Sequence, residues 1–229
     1  MQSSESFRLS AILSFSGGLQ DAYTYNVRGN VFANAQTGNI VLMSQNLMSG
    51  QLSAGIRYLL PLISFAAGTF LAERLEHRFK NNEAIHWRQV ILLIEAIILF
   101  LVGLIPDCYN MIANIMVSFS CAMQLQSFRK VNGYGYASTM CIGNLRNGTV
   151  SLSQYIRNKE KTSMLKALNY FGIITAFGIG AGLGGILTNY LGIKTIWISP
   201  ILLSIVSILM IRETDNFSLK KHIMYVRGV

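Results

Sequence analysis

Asp21 is the residue of this chain whose surroundings point most directly to chemistry, because it lies inside an apolar stretch. Its polar neighbours along the chain are Gln20, Asn34, Thr37 and Asn39. A carboxylate close to amide and hydroxyl oxygens could coordinate a cation or exchange a proton. An acid within a membrane segment is costly, so it is by default a functional hypothesis. The structural alternative is a carboxylate that caps a broken helix or pairs with Arg28 or Arg146.

The small and polar residues that follow Asp21 have counterparts about a hundred positions later in the chain. The two sets are Thr37, Gly38 and Asn39, and then Gln124, Gly143, Asn144 and Arg146. Glycine permits unusual backbone conformations and asparagine supplies both a donor and an acceptor, so both segments predict irregular backbone in a protein-lined interior. Either they bind a transported solute or they form local turns and caps. Arg146 could recognise an anionic ligand or balance Asp21.

Glu95 interrupts an apolar run in mid-span, in the sequence VILLIEAIILF. Two interpretations stay open. It is a proton-coupling carboxylate, as Asp21 could also be, or an acid that packs between helices and is held neutral by burial.

Most of these residues lie in or near a segment that is duplicated within the chain. Residues 14–33 and 118–137 are identical at seven positions at an offset of 104, and one extra residue then aligns Gly38-Asn39 with Gly143-Asn144. Further on, FAAGTFLAERL from Phe65 aligns with FGIGAGLGGIL from Phe177, and the glycines of these segments predict close helix packing. Duplication of this kind indicates two copies of one structural unit.

The composition indicates a membrane protein. Hydrophobic side chains make up 52% of the 229 residues and charged ones only 13%, about half the usual charged fraction of a soluble domain. Apolar runs long enough to cross a bilayer recur along the chain. The net charge of +9 does not indicate nucleic acid, because the basic residues lie in short connectors between those runs.

We predict an all-α integral membrane protein with six spanning helices and two broken or re-entrant segments. The spans are about 8–27, 56–73, 88–106, 109–128, 167–190 and 195–211, and the re-entrant segments are 31–48 and 135–155. This topology places 15 basic residues in the cytoplasm and three outside, Arg28, Arg57 and Lys194, with Arg146 inside a segment. Eight spans would split them ten to eight, which fits the positive-inside rule less well.

Three crossings per copy make the two copies inverted, an architecture of secondary transporters. The prediction is a single transmembrane domain over 1–229, with repeat one at about 8–106, repeat two at about 109–212 and a cytoplasmic tail at 213–229. Both termini face the cytoplasm of a bacterial inner membrane.

The segment from Gly18 to Ala22, followed by Gly29, Phe32 and the triplet Thr37-Gly38-Asn39, resembles the signature of the YoaK family of bacterial multi-pass membrane proteins. The second block differs from that family's pattern, since it reads Cys141-Ile-Gly-Asn144 where a T-G triplet is usual. The resemblance implies a multi-pass membrane protein of unknown function and implies no substrate.

The sequence contains no catalytic motif, phosphate loop or nucleotide fingerprint, and its three cysteines have no metal-site spacing. We therefore expect no enzyme, metal or cofactor. The expected function is a secondary transporter or channel-like carrier of a small solute or ion, with its site between the repeats. A non-transporting membrane scaffold or regulatory protein is the alternative. The expected partners are the lipid bilayer and the solute, with no nucleic acid, and a homo-oligomer is compatible with the sequence.

Overall fold

The structure, a computed structural model, describes residues 6–80 and 87–211. The predicted tail at 213–229 lies outside them. The helices are α1 (Phe7–Val27), α2 (Gln36–Met48), α3 (Leu52–Phe79), α4 (Trp87–Val102), α5 (Asn110–Ser127), α6 (Cys141–Asn158), α7 (Lys161–Leu191) and α8 (198–211). A two-residue antiparallel ladder, β1 (Lys130–Val131) with β2 (Tyr134–Gly135), lies between α5 and α6. The predicted all-helical class is confirmed for the described residues.

The packing of α1, α2 and α3 parallels that of α5, α6 and α7. The first helix of each set packs against the third helix of the other: α1 on α7, and α5 on α3. The second helix of each set packs on its own third helix, α2 on α3 and α6 on α7. The two copies therefore exchange contacts instead of folding as separate units.

Two equivalent glycines permit these crossings. A Cβ on Gly68 of α3 would collide with the carbonyl oxygen of Phe119 on α5, and one on Gly180 of α7 would collide with the carbonyl oxygen of Phe15 on α1. Both glycines and both phenylalanines are matched by the predicted alignment. Close helix packing therefore explains these two glycines, whereas Gly178 and Gly182 have open space beside them.

Arg28 is buried, although the sequence placed it among the outward-facing basic residues. Its guanidinium donates to the carbonyl oxygens of Val102 and Ile105 at 2.9 Å each and to the hydroxyl of Tyr23 at 2.7 Å. Asp107 lies 3.7 Å away as its ion-pair partner. Arg28 is buried because it satisfies carbonyl groups at the end of α4 that have no partner within that helix.

Segments 31–48 and 135–155 each consist of an irregular turn followed by a helix. The turn before α2 covers 28–35, and the turn before α6 contains the ladder and residues 136–140. We call these turn one and turn two.

Two helical stretches of the described residues have the length and apolar composition to cross a bilayer. They are Leu52–Phe79 and Lys161–Ile211, the latter formed by α7, a 3₁₀ turn and α8. This is weak evidence for membrane association, since a buried core helix satisfies the same criterion.

Candidate functional site

A cavity of about 940 Å³ lies between turn one and turn two. Both turns contribute to its wall, together with residues of α1, α2, α6 and α7. The lining residues used below are Asp21, Tyr25, Phe32, Asn34, Thr37, Arg129, Tyr136, Cys141, Gly143, Asn144 and Phe177. The cavity is mainly apolar with a few polar groups, which is the usual composition of a site for a small molecule.

Asp21 holds turn one in place. Its side chain is only 6% exposed, and its Oδ1 accepts a hydrogen bond of 2.7 Å from the backbone N–H of Asn34. The backbone N–H groups of Ala33 and Ala35 also donate to this carboxylate. Among the described residues Asp21 forms no ion pair, since Arg28 pairs with Asp107. These contacts are to the backbone of turn one, and Asp21 also contributes to the cavity wall.

The two predicted asparagines make the same contacts in the two turns. The side-chain amide of Asn39 donates to the carbonyl oxygen of Phe32 at 2.7 Å and accepts from its N–H at 3.1 Å. Asn144 donates to the carbonyl oxygen of Ala137 at 2.6 Å and accepts from its N–H at 3.3 Å. Each asparagine thus pairs with the backbone seven positions earlier, which explains why the Gly-Asn pair recurs. We call this pairing the asparagine clasp.

The two predicted glutamines join helices in the interior and do not line the cavity. Gln20 donates to the hydroxyl of Ser16 at 3.0 Å and accepts from the thiol of Cys121 at 2.7 Å. Gln124 donates to the hydroxyl of Ser138 at 3.2 Å and to the carbonyl oxygen of Leu13 at 3.4 Å.

The remaining predicted residues occupy three different environments. Thr37 and Gly143 line the cavity, whereas Gly38 packs against the ring of Phe32. Arg146 is exposed and does not contribute to the cavity wall. Glu95 is fully buried at 0% exposure, away from the cavity wall.

Sequence reasoning missed the aromatic side chains and the arginine of the wall. Tyr25 and Phe32 stack with their ring centroids 4.8 Å apart, and Arg129 pairs with Glu76 at 2.8 Å. Tyr136 is 7% exposed and also lines the cavity. Phe32 lies within the duplicated block. Its place in turn one was the sequence signal that could have identified it as a residue of the cavity wall.

The described residues contain no group of three or more histidine, cysteine, aspartate or glutamate side chains that could hold a metal ion. Within this part of the chain the cysteines are free thiols: Cys108 is exposed, Cys121 is buried and Cys141 is half-buried. The cavity wall presents one carboxylate, amide groups and aromatic faces.

A family model described as "Protein of unknown function (DUF1275)" matches residues 9–209, and the chain belongs to this family. The match covers both repeats. Neither the curated proteins nor the solved structures that were compared gave a match. The resemblance is thus confirmed at the level of a family without a known function, and the YoaK name stays a prediction.

Proposed function

We propose that this member of the family is a multi-pass membrane carrier that binds a small solute in the cavity between turn one and turn two. The observation that carries the proposal is that equivalent turns of the two repeats face one cavity. Sites of secondary transporters are formed in this way, at the interface of two repeats and beside interrupted helices.

The distribution of polarity supports a membrane setting. Large apolar side chains are exposed on several helices, among them Ile63, Phe70, Leu93, Ile97, Ile186 and Ile208 at 52% or more. Charged and amide side chains are buried instead, including Arg28, Glu95, Gln20 and Gln124 at 1% or less. A soluble protein rarely exposes apolar surface on this scale, while polar groups inside a membrane protein face its interior.

Six spans with inverted repeats are the topology that we propose. In it α2 and α6 re-enter, and the other helices cross. This arrangement leaves 15 basic residues on the cytoplasmic side and three outside, which fits the positive-inside rule. Cysteines placed at positions 80 and 160 should react from the cytoplasmic face and Cys108 from the outer face; reaction of positions 80 and 160 from opposite faces would contradict the inverted arrangement.

A non-transporting scaffold is the second candidate, and the asparagine clasps favour it. Both clasps and both glutamines have hydrogen-bond partners within the protein, so they need no ligand. The candidates differ in whether the cavity binds a small molecule.

A thermal-shift screen of the purified protein against ions and small metabolites tests this difference, because a ligand that binds only the folded state stabilises it. The variant Gly143→Trp is designed to fill the cavity with a large side chain. Gly143 lines the cavity, and a Cβ there meets nothing within 4 Å. Gly182→Trp, at an equally open position outside the wall, is the control. A stabilising ligand should lose its effect in Gly143→Trp and keep it in Gly182→Trp. Equal shifts in both variants would contradict the proposed site.

Asp21→Asn tests the carboxylate. The amide keeps an acceptor for the N–H of Asn34 but carries no charge, so we expect the fold to remain and the stability to fall by about 1 kcal/mol. If the charge recognises the solute, uptake and ligand-induced stabilisation should be lost. A variant that is less stable yet binds the ligand normally would show that Asp21 holds turn one in place and does not recognise the solute.

A further inference from the structure

Glu95 on α4 is a buried carboxyl group without a counter-ion among the described residues. It is 0% exposed, and within this part of the chain neither of its oxygens has a hydrogen-bond partner. No lysine, arginine or histidine there forms an ion pair with it. A carboxylate buried without a counter-ion is strongly unfavourable, so Glu95 is a neutral acid in this conformation.

The groups that face Glu95 come from several helices. Helix α1 presents Gln20, and helix α5 presents Ser120 and Cys121. Asp21 also acts electrostatically on the Cys121 thiol. Ala72, Leu75 and Phe79 of α3 pack in one cluster with residues of α4, and Leu203, Ser204 and Ser207 of α8 line a small pocket together with residues of α4; none of these side chains titrates.

Polar groups connect Glu95 to the cavity. Cys121, beside Glu95, donates to Gln20 at 2.7 Å. The side chain of Asn34 faces the same thiol, and its Oδ1 is buried without a partner. The backbone N–H of Asn34 donates to Asp21, and both residues line the cavity. A series of polar side chains thus leads from the buried acid to the wall of the proposed site.

We propose that Glu95 is the proton-binding site of the carrier and that its protonation is coupled to the state of the cavity. This inference rests on the proposed function. When water enters from the cavity along Asn34 and Cys121, the O–H bond of Glu95 breaks, and the proton passes to that water. The carboxylate that remains is stable only in this hydrated conformation, and it takes up a proton again before the interior closes.

Infrared spectroscopy of the reconstituted protein tests the protonation state. The wild type should show the carbonyl stretch of a buried, protonated carboxyl group at neutral pH. The band should be absent in Glu95→Gln and present in Asp21→Asn, and Glu95→Asp should retain it if Glu95→Gln fails to fold. A wild type without the band, or a band that depends on Asp21 instead, would overturn the proposal.

The reactivity of Cys141 tests the coupling, because this thiol lines the cavity. In a background with Cys108→Ser and Cys121→Ser, which leaves Cys141 as the remaining thiol, its rate of maleimide labelling should be compared between Glu95 and Glu95→Gln proteins over a pH series. Thiol chemistry affects both proteins equally, so the ratio of rates reports the conformation. We expect the ratio to change about fivefold or more across the series. A constant ratio would show that Glu95 is a neutral packing acid and would overturn the coupling. The carrier function would not be affected by that result, because the thermal-shift screen tests it separately.

Discussion

Turn one and turn two contain the same asparagine clasp but differ in what else holds them. Asn39 and Asn144 each pair with the backbone seven residues earlier. In turn one, Asp21 also accepts backbone N–H groups just before α2. Leu125 stands at the position of repeat two that matches Asp21. The shared contacts maintain the architecture, whereas the carboxylate that could recognise a solute occurs in one copy only.

The largest effect should come from filling the two helix crossings. Gly68→Leu and Gly180→Leu would each force a side chain against the backbone of the facing helix, which cannot move like a side-chain end. We expect each change to cost about 3 kcal/mol or more and to prevent accumulation of folded protein. Thermal unfolding in detergent measures this, with Gly178→Leu as the control at an open position. Tolerance of one crossing variant but not the other would show that the two crossings are not equivalent.

Removing Arg28 should have the next largest effect, and repeat two offers no equivalent arginine, since Asn132 stands at the matching position. Arg28→Met leaves the carbonyl groups of Val102 and Ile105 buried without these donors. We expect a loss of about 3 kcal/mol in the free energy of unfolding. Asp107→Asn should cost less than about 1 kcal/mol, because Asp107 is 74% exposed and solvent screens its ion pair. Equal losses for both variants would mean that the ion pair, and not the carbonyl contacts, makes Arg28 important.

Removing either clasp asparagine should lower the free energy of unfolding by a similar amount. Asn39→Ala and Asn144→Ala each remove a side chain that satisfies one backbone N–H and one carbonyl group, at a cost of about 1–3 kcal/mol. Chemical denaturation or thermal unfolding should therefore give similar losses. A much larger loss of stability at Asn39 would indicate that turn one depends on its clasp even with Asp21 in place.

The paired helix crossings could be predicted from the sequence because equivalent crossings need equivalent residues. The alignment of Phe65 with Phe177 placed Gly68 and Gly180 in register, and both lie at helix crossings. The one-residue shift aligned Asn39 with Asn144, and both form clasps. The seven-residue spacing that the two clasps share reflects local geometry, which nearby residues determine.

The contacts of single side chains were less predictable because they depend on distant segments. Arg28 lies at the end of a helix, where a cation is normally solvated, yet it donates to carbonyl groups more than 70 residues away. Gln20 and Gln124 looked like site residues because they recur, and they instead connect helices. Arg129 was counted as a cytoplasmic charge, and it contributes to the cavity wall.

The most direct test of the central claim is whether the cavity opens to both sides of the membrane. Cys141 lines it, and in a background with Cys108→Ser and Cys121→Ser it is the remaining thiol of the chain. Right-side-out and inside-out vesicles can be treated with a membrane-impermeant maleimide, with Gly143→Trp as the blocked control. The carrier account predicts labelling of Cys141 from both faces in the parent and reduced labelling in the blocked variant. Labelling from one face only would contradict alternating access.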